Sequence, residues 1–367
     1  MPDVDKHHNR FLFMADAHIR SRTWTNSMQL TGDAYSALGR VLGSLPVPAE
    51  TLPLVVGGDW FDTNRPSSED VAWTRDFMRK FMCVRYIKGN HDSCEPSFLD
   101  SLFGIGGFME RLSPGQLRLP GWPLVGVDWS VSADATRDAI RLAAAASNPS
   151  GPLYLVLHAS FRHLLGFDGT YQLDAEWIKD TFKDRCVRVL VGDIHTRNTL
   201  ELPHGGWIHS PGSLYPRSWD KVREPCAVSL VDAGTGEITS IPCDVRRYEE
   251  IEYAGHQDLL ARLEALSAEH AADDLDTFVR VVVPPGSGPF GRPQLPHVQV
   301  QVVSADAEDG EERAEAPVAE TTLLDAVREE CGDDADLADM AGALLSSDDP
   351  LAEIERWLDF WKVERIA

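Results

Sequence analysis

Five largely apolar runs of strand length each end in residues able to hold a metal ion or a proton. Phe11-Leu12-Phe13-Met14-Ala15 delivers Asp16-Ala17-His18, and Leu54-Val55-Val56 delivers Gly57-Gly58-Asp59. Val84-Arg85-Tyr86-Ile87 leads through Lys88 and Gly89 to Asn90-His91-Asp92, Leu153 to Leu157 ends at His158, and Arg188-Val189-Leu190-Val191 runs into Gly192-Asp193-Ile194-His195. Apolar runs without alternation mark strands buried on both faces, as in parallel sheets covered by helices. Helical patterns from about Ser27 to Leu45 and from Ser68 to Phe81 separate the first three runs, which gives a β-α-β-α-β order. Open α/β sheets keep their chemistry at the carboxyl ends of strands, where all five polar sets fall. A histidine on a turn explains any one of them but not the series.

Collected, the strand ends supply Asp16, His18, Asp59, Asn90, His158, Asp193 and His195, all oxygen or imidazole donors. That mix favours manganese, iron, magnesium or zinc in two adjacent sites over a structural zinc. In the pairs Asp16-x-His18 and Asp193-x-His195, alternation places both side chains on one side, as two ligands of one ion require. Two ions about 3.5–4 Å apart share one carboxylate and clamp the oxygens of an in-line displacement at phosphorus. His91, backed by Asp92, then protonates the leaving oxygen. The inferred chemistry is hydrolysis of a phosphate ester.

The remaining chain is less regular. Leu117–Leu119 and Leu124–Val127 read as strands around Pro120-Gly121, and a helix is predicted from Ala133 to Ala146. Two hairpins, Thr199–Leu202 with Trp207–His209 and Ala227–Val231 with Glu237–Ile241, are expected to form a second sheet packed on the first. After Arg247 a small α+β module is predicted: Tyr248–Tyr253, a helix from His256 to His270, and strands Phe278–Val283 and Val298–Val303. Acids dominate between Asp306 and Asp339, followed or overlapped by helical patterns near Leu323–Cys331, Leu337–Leu345 and Pro350–Trp361. Apolar faces carrying Trp357, Phe360 and Trp361 suit either a local core or a docked partner.

At 367 residues the length is right for two to three domains. Met1 to Arg10 has no apolar signal region and no window approaches the roughly 18 apolar residues of a membrane span, so a cytosolic protein without a membrane partner is expected. The six cysteines show no metal-binding or disulfide spacing, in keeping with reduced thiols. A net charge of −24 opposes approach to nucleic acid, although much of it is concentrated in the acidic segment.

Asp16-x-His18, Gly58-Asp59-x-x-Asp62, Gly89-Asn90-His91-Asp92, His158 and Gly192-Asp193-x-His195 resemble the ordered motifs of the calcineurin-like metallophosphoesterases, from residue 11 to about 215. Gly58-Asp59-Trp60-Phe61-Asp62-Thr63 with Arg65-Pro66-Ser67, and Ser210-Pro211-Gly212-Ser213-Leu214-Tyr215, resemble more narrowly the SbcD nucleases, phage versions included. The resemblance implies a four-layer α-β-β-α core over residues 1–247, a small α+β capping domain over 248–303, an acidic linker over 304–320 and a helical carboxyl-terminal segment over 321–367. It implies that Asp16, His18, Asp59 and His195 hold one ion and Asp59, Asn90, His158 and Asp193 the other, with Asp59 bridging and manganese preferred over magnesium, iron or zinc. His91, Asp92 and Asp62 are the implied catalytic set. Implied partners are DNA, an SbcC-like coiled-coil ATPase docked on the helical segment, and a second copy of the chain, in a host cytoplasm if the protein is phage-encoded.

The family usually has histidine where Asp193 stands, which puts metal preference or rate in question. Arg20, Arg22, Arg65, Arg162, Arg197 and Arg217 are the candidate phosphate contacts. The functions in competition are a metal-dependent exonuclease or endonuclease in DNA repair or recombination, a phosphatase or phosphodiesterase for small molecules or phosphoproteins, and a scaffold subunit with a decayed site.

Overall fold

A computed structural model describes residues 9–304 except 21, 24–29, 32, 94–96, 103–107, 113–115, 120–121, 147–150, 163, 165–172, 218, 271–276 and 285–294. Its first part runs β1 (Arg10–Met14), β2 (Arg22–Thr23), β3 (Leu30–Thr31), α1 (Asp33–Ser44), β4 (Pro53–Gly57), α2 (Ser68–Met78), β5 (Cys83–Ile87), α3 (Phe98–Leu102), β6 (Met109–Arg111), β7 (Gln116–Leu119) and β8 (Trp122–Val127). There follow α4 (Ala133–Ala146), β9 (Leu153–His158), α5 (Ala175–Thr181), β10 (Val187–Gly192), β11 (Asn198–Leu202), β12 (Gly206–Ser210), β13 (Ala227–Asp232) and β14 (Ile238–Pro242). The last elements are β15 (Tyr248–Glu252), α6 (His256–Glu269), β16 (Thr277–Val283) and β17 (Val298–Ser304).

Two six-stranded sheets make the core, in the orders β14-β13-β1-β4-β5-β6 and β11-β12-β10-β9-β8-β7. β1, β4, β5 and β6 are parallel, as are β8, β9, β10 and β12, while antiparallel strands sit at the edges. The period of two along each strand sends alternate side chains to opposite faces. Phe11, Phe13, Val55 and Ile87 therefore meet Leu124, Tyr154, Val156 and Leu190 between the sheets. Leu12, Met14, Leu54 and Val56 face Ala34, Leu38, Val41, Phe77 and Met78 of α1 and α2. Leu155, Leu157, Val189 and Val191 face Ile140 of α4 and Ile178 of α5. The result is the expected α-β-β-α layering.

Two local expectations are corrected. The hairpins do not share a sheet: β13 pairs with β1, setting Val231 opposite Phe11, whereas β12 pairs with β10. Each hairpin extends a different parallel sheet because its apolar strand needs a partner buried on both faces. The helix expected from Ser27 begins only at Asp33, and Leu30–Thr31 pairs with Arg22–Thr23 instead. Asp33 is fixed there by a buried ion pair with Arg246 at 2.8 Å.

The predicted α+β module exists as a parallel β15-β16-β17 sheet with α6, and has its own core of Ile251, Leu259, Leu263, Val279, Val281 and Val300. Trp219, from the loop before β13, stacks edge-on against Tyr248 and Phe278 and donates its indole N–H to Glu250 at 3.1 Å. The expected acidic linker and carboxyl-terminal helices lie outside the described residues. Among the described residues no helix is long and apolar enough to cross a membrane.

Candidate metal centre

The carboxyl ends of β1, β4, β5, β9 and β10 converge across the two sheets. Asp16, His18, Asp59 and Asp193 hold positive φ angles of 52°, 42°, 48° and 79°. Such backbone is uncommon for residues with a Cβ and collects at functional sites, where the surrounding structure over-determines it. Gly89 makes the crowding feasible, since a Cβ there would lie 2.0 Å from Asp59 Oδ1. Gly58, at φ 90°, likewise leaves room for His158, whose Nδ1 would be 2.5 Å from a Cβ.

Asp16, His18 and His195 offer ligand atoms within one ion's reach of each other, and so do Asp16, Asp59 and His158. Asp59 Oδ2 stands between the halves, 3.7 Å from His18 Nε2, 3.4 Å from His158 Nε2 and 3.9 Å from His91 Nε2. Asn90 Oδ1 and Asp193 Oδ1 lie 3.1 and 3.9 Å from His158 Nε2. All seven residues named from the strand ends are thus brought to one place.

The donor set fits divalent ions. His158 donates Nδ1–H to the Gly57 carbonyl at 2.8 Å, which orients the ring and aims Nε2 into the cluster. His18 is buried, and neither ring nitrogen makes an aligned hydrogen bond, although Nδ1 is 3.2 Å from Asp62. A buried imidazole with no satisfied nitrogen is what a metal ligand presents to its ion. Oxygen and imidazole donors without thiolate match the borderline-hard divalent metals.

Charge in the cluster follows burial. Burial pushes the Asp16 carboxyl up to about 7 and lowers His18 to about 4. It lowers His195 to about 3, assisted by His18 and Arg217. Burial also opposes charge on Asp59 and His158, but each is held charged by the other, with His158 raised to about 10 and Asp59 well below the carboxylate range. Burial raises Asp193 as well.

The implied catalytic set is arranged differently from the expectation. His91 is not backed by Asp92: its Nδ1–H goes to the Asp62 carbonyl at 2.6 Å, which leaves Nε2 to exchange a proton beside the cluster. The Asp92 carboxylate is turned the other way and accepts from the amides of Trp60, Phe61 and Gly89 at 3.0, 3.2 and 3.4 Å. It is buried because it ties the ends of β4 and β5 together, and burial raises it to about 6. The Asp62 carboxylate sits by His18 and binds Arg20 and Arg217 at 3.1 and 3.0 Å. Burial opposes its charge, but His18 and these guanidinium groups hold it low.

Of the six arginines, Arg20 and Arg217 therefore reach the centre through Asp62. Arg197 follows His195 on its loop, and its backbone lies against Gly212. Arg65 and Arg162 are exposed. The side chain of Arg22 lies outside the described residues. The sequence singles out the stretch Ser210–Tyr215 without revealing what it does. In the structure the buried Tyr215 hydroxyl donates to the His18 carbonyl at 2.9 Å. Nor does any motif announce Lys221 and Glu224, which with His195, Ser213, Tyr215 and Arg217 line a cavity beside the centre.

The calcineurin-like phosphoesterase model matches residues 9–233, more than half of the chain, and the chain belongs to that family. Its site is therefore that of a metal-dependent phosphoester hydrolase, and the family holds two divalent ions. Among solved structures, the chain is similar to a phosphopantetheinyl hydrolase from Mycobacterium tuberculosis at 15% identity and TM-score 0.39, over 58% of this chain and 92% of that one. It is similar to a 5′-nucleotidase from Candida albicans SC5314 at 13% identity and TM-score 0.34, over 61% of this chain and 52% of that one. No curated protein matches.

Proposed function

We propose that the chain is the nuclease subunit of a DNA-processing enzyme, hydrolysing phosphodiesters with two divalent ions, manganese by preference, and acting with an SbcC-like ATPase. The observation that carries this reading is the pair of guanidinium groups, Arg20 and Arg217, bonded to Asp62 at 3.1 and 3.0 Å beside the metal centre. Guanidinium groups beside the centre suit a strand lying across it, held by its phosphates. The motifs Gly58–Thr63 and Ser210–Tyr215 support the same reading.

In this reading Asp16, His18, Asp59 and His195 hold one ion and Asp59, Asn90, His158 and Asp193 the other, Asp59 being shared. When bound, the ions supply Lewis-acid chemistry towards the phosphoryl group and water. The protein's own groups do the rest. The Asp62 carbonyl keeps Nδ1–H of His91 engaged, so Nε2 is the nitrogen from which the imidazolium form gives a proton to the leaving oxygen. Asp62 also sets His18 against its ion and neutralises Arg20 and Arg217 in part, which leaves them able to bind phosphate without trapping it. The helical segment 321–367 is the proposed ATPase dock, residues 248–303 the proposed cap, and dimerisation through the core belongs to the same reading.

The test is manganese-dependent degradation of end-labelled linear duplex and circular single-stranded DNA, with His91→Ala as control and a chromogenic phosphomonoester alongside. Cleavage of DNA that is lost in the variant supports the nuclease. Monoester hydrolysis without DNA cleavage replaces it with a phosphatase.

A further inference from the structure

Two loops beside the centre, residues 195–197 and 212–217, contain three polar atoms that are buried with no hydrogen-bond partner: Arg197 Nη1, Ser213 Oγ and Arg217 Nη1. Such groups forfeit their hydration for nothing, and a cluster of them calls for a ligand. Ser213 is only 7% exposed, and its backbone N–H is already used on the His195 carbonyl at 2.9 Å. Arg217 commits Nη2 to Asp62 at 3.0 Å and leaves the other arm of its planar fork unengaged. Ser213 and Arg217 line one cavity with the candidate metal ligand His195. Lys221, on the same wall, is paired with Glu224 at 2.7 Å.

A hydroxyl and a guanidinium N–H are donors seeking an acceptor, and phosphate is the acceptor-only group that a guanidinium fork fits best. The cavity adjoins the candidate metal ligand His195, on the side where Ser213 and Arg217 line it. We propose that it is a subsite for a second phosphate of the substrate, the one next to the phosphate under attack, held by Arg217 Nη1 and Ser213 Oγ. The proposal rests on the phosphoesterase reading of the centre. In a nucleic-acid strand that second phosphate is the neighbouring linkage, and in a nucleoside diphosphate it is the adjoining phosphoryl group.

Calorimetric titration of the chelator-treated, metal-free chain with inorganic phosphate tests it without catalysis. Binding is expected, weakened about tenfold in Arg217→Gln and a few-fold in Ser213→Ala. Because Arg217→Gln also loses the bond to Asp62, Ser213→Ala is the deciding variant. No phosphate binding by the metal-free protein, or equal binding by Ser213→Ala, overturns the subsite. With manganese, thymidine dinucleotides with and without a 5′ phosphate, and thymidine di- and monophosphate, separate the sources. A preference for the extra phosphate in the dinucleotide, lost in Ser213→Ala, supports the subsite within the nuclease. The same Ser213-dependent preference in the mononucleotides alone keeps the subsite and removes the nuclease reading. Dinucleotide cleavage with no preference removes the subsite and keeps the nuclease.

Discussion

Asp193 occupies a position where a shorter, charged donor replaces the imidazole usual in the family, and its Oδ1 lies 3.9 Å from His158 Nε2. Its carboxylate is expected to grip a hard cation more firmly and to blunt its Lewis acidity. Asp193→Ala should lower manganese content after dialysis, and Asp193→His should retain it; unchanged content in the alanine variant would remove Asp193 from the ligand set. A second outcome follows from the charge state. His158, raised to about 10, carries an extra proton at pH 7, and a ligating imidazole must give it up. Manganese binding should therefore release protons, seen as a dependence of calorimetric enthalpy on the buffer's ionisation enthalpy, and absent such dependence the protonated His158 is wrong. His91→Gln should reduce kcat by about 10²–10⁴ with metal content unchanged. The strand-end ligands were legible because each follows an apolar run that fixes where the chain must turn. The role of Asp92 was not, since its partners are backbone amides at Trp60 and Phe61, some thirty residues away, and backbone groups have no signature in the sequence.

Elements of the two sheets are joined by buried polar ties as well as apolar contact. His209 on β12 bonds Thr199 on β11 at 2.7 Å and, across the sandwich, Ser229 on β13 at 2.7 Å. Arg188 on β10 reaches the carbonyl of Thr235 beyond β13 at 2.7 Å. Burial lowers His209 to about 3, with Arg197 adding to the effect. The depressed value means the unfolded chain binds the extra proton first as pH falls, so this group's contribution is full above about pH 6.5 and shrinks below it. Urea unfolding between pH 7 and 5 should show a shallower loss of stability in His209→Gln than in the parent chain; parallel slopes would contradict the buried neutral histidine. Here the sequence was readable for strands and silent on partners. Both hairpins show proper turns, yet the choice of β1 for β13 and β10 for β12 is set by side chains far apart in the chain. α5, only seven residues long, is too short for a helical period to show and is held by its Asp174 cap.

For the whole molecule, the α+β module is a second small core attached to the first through Trp219. Trp219→Ala should speed amide exchange in β15 and β16 while leaving β1, β4 and β5 protected, and equal protection throughout would show that the attachment is carried elsewhere. The module was legible as a change in pattern after Arg247, but its fastening was not, because Trp219 lies in a loop with no periodicity. Arg280 also stands over that indole, 5.3 Å from the ring centre. Two residues before Trp219 on the same loop is Arg217, bonded to Asp62 and so to the surroundings of His18. The module's fastening and the edge of the metal centre therefore lie two residues apart in the sequence. The residue that fastens the small sheet and the residue that braces Asp62 are thus near neighbours in the chain.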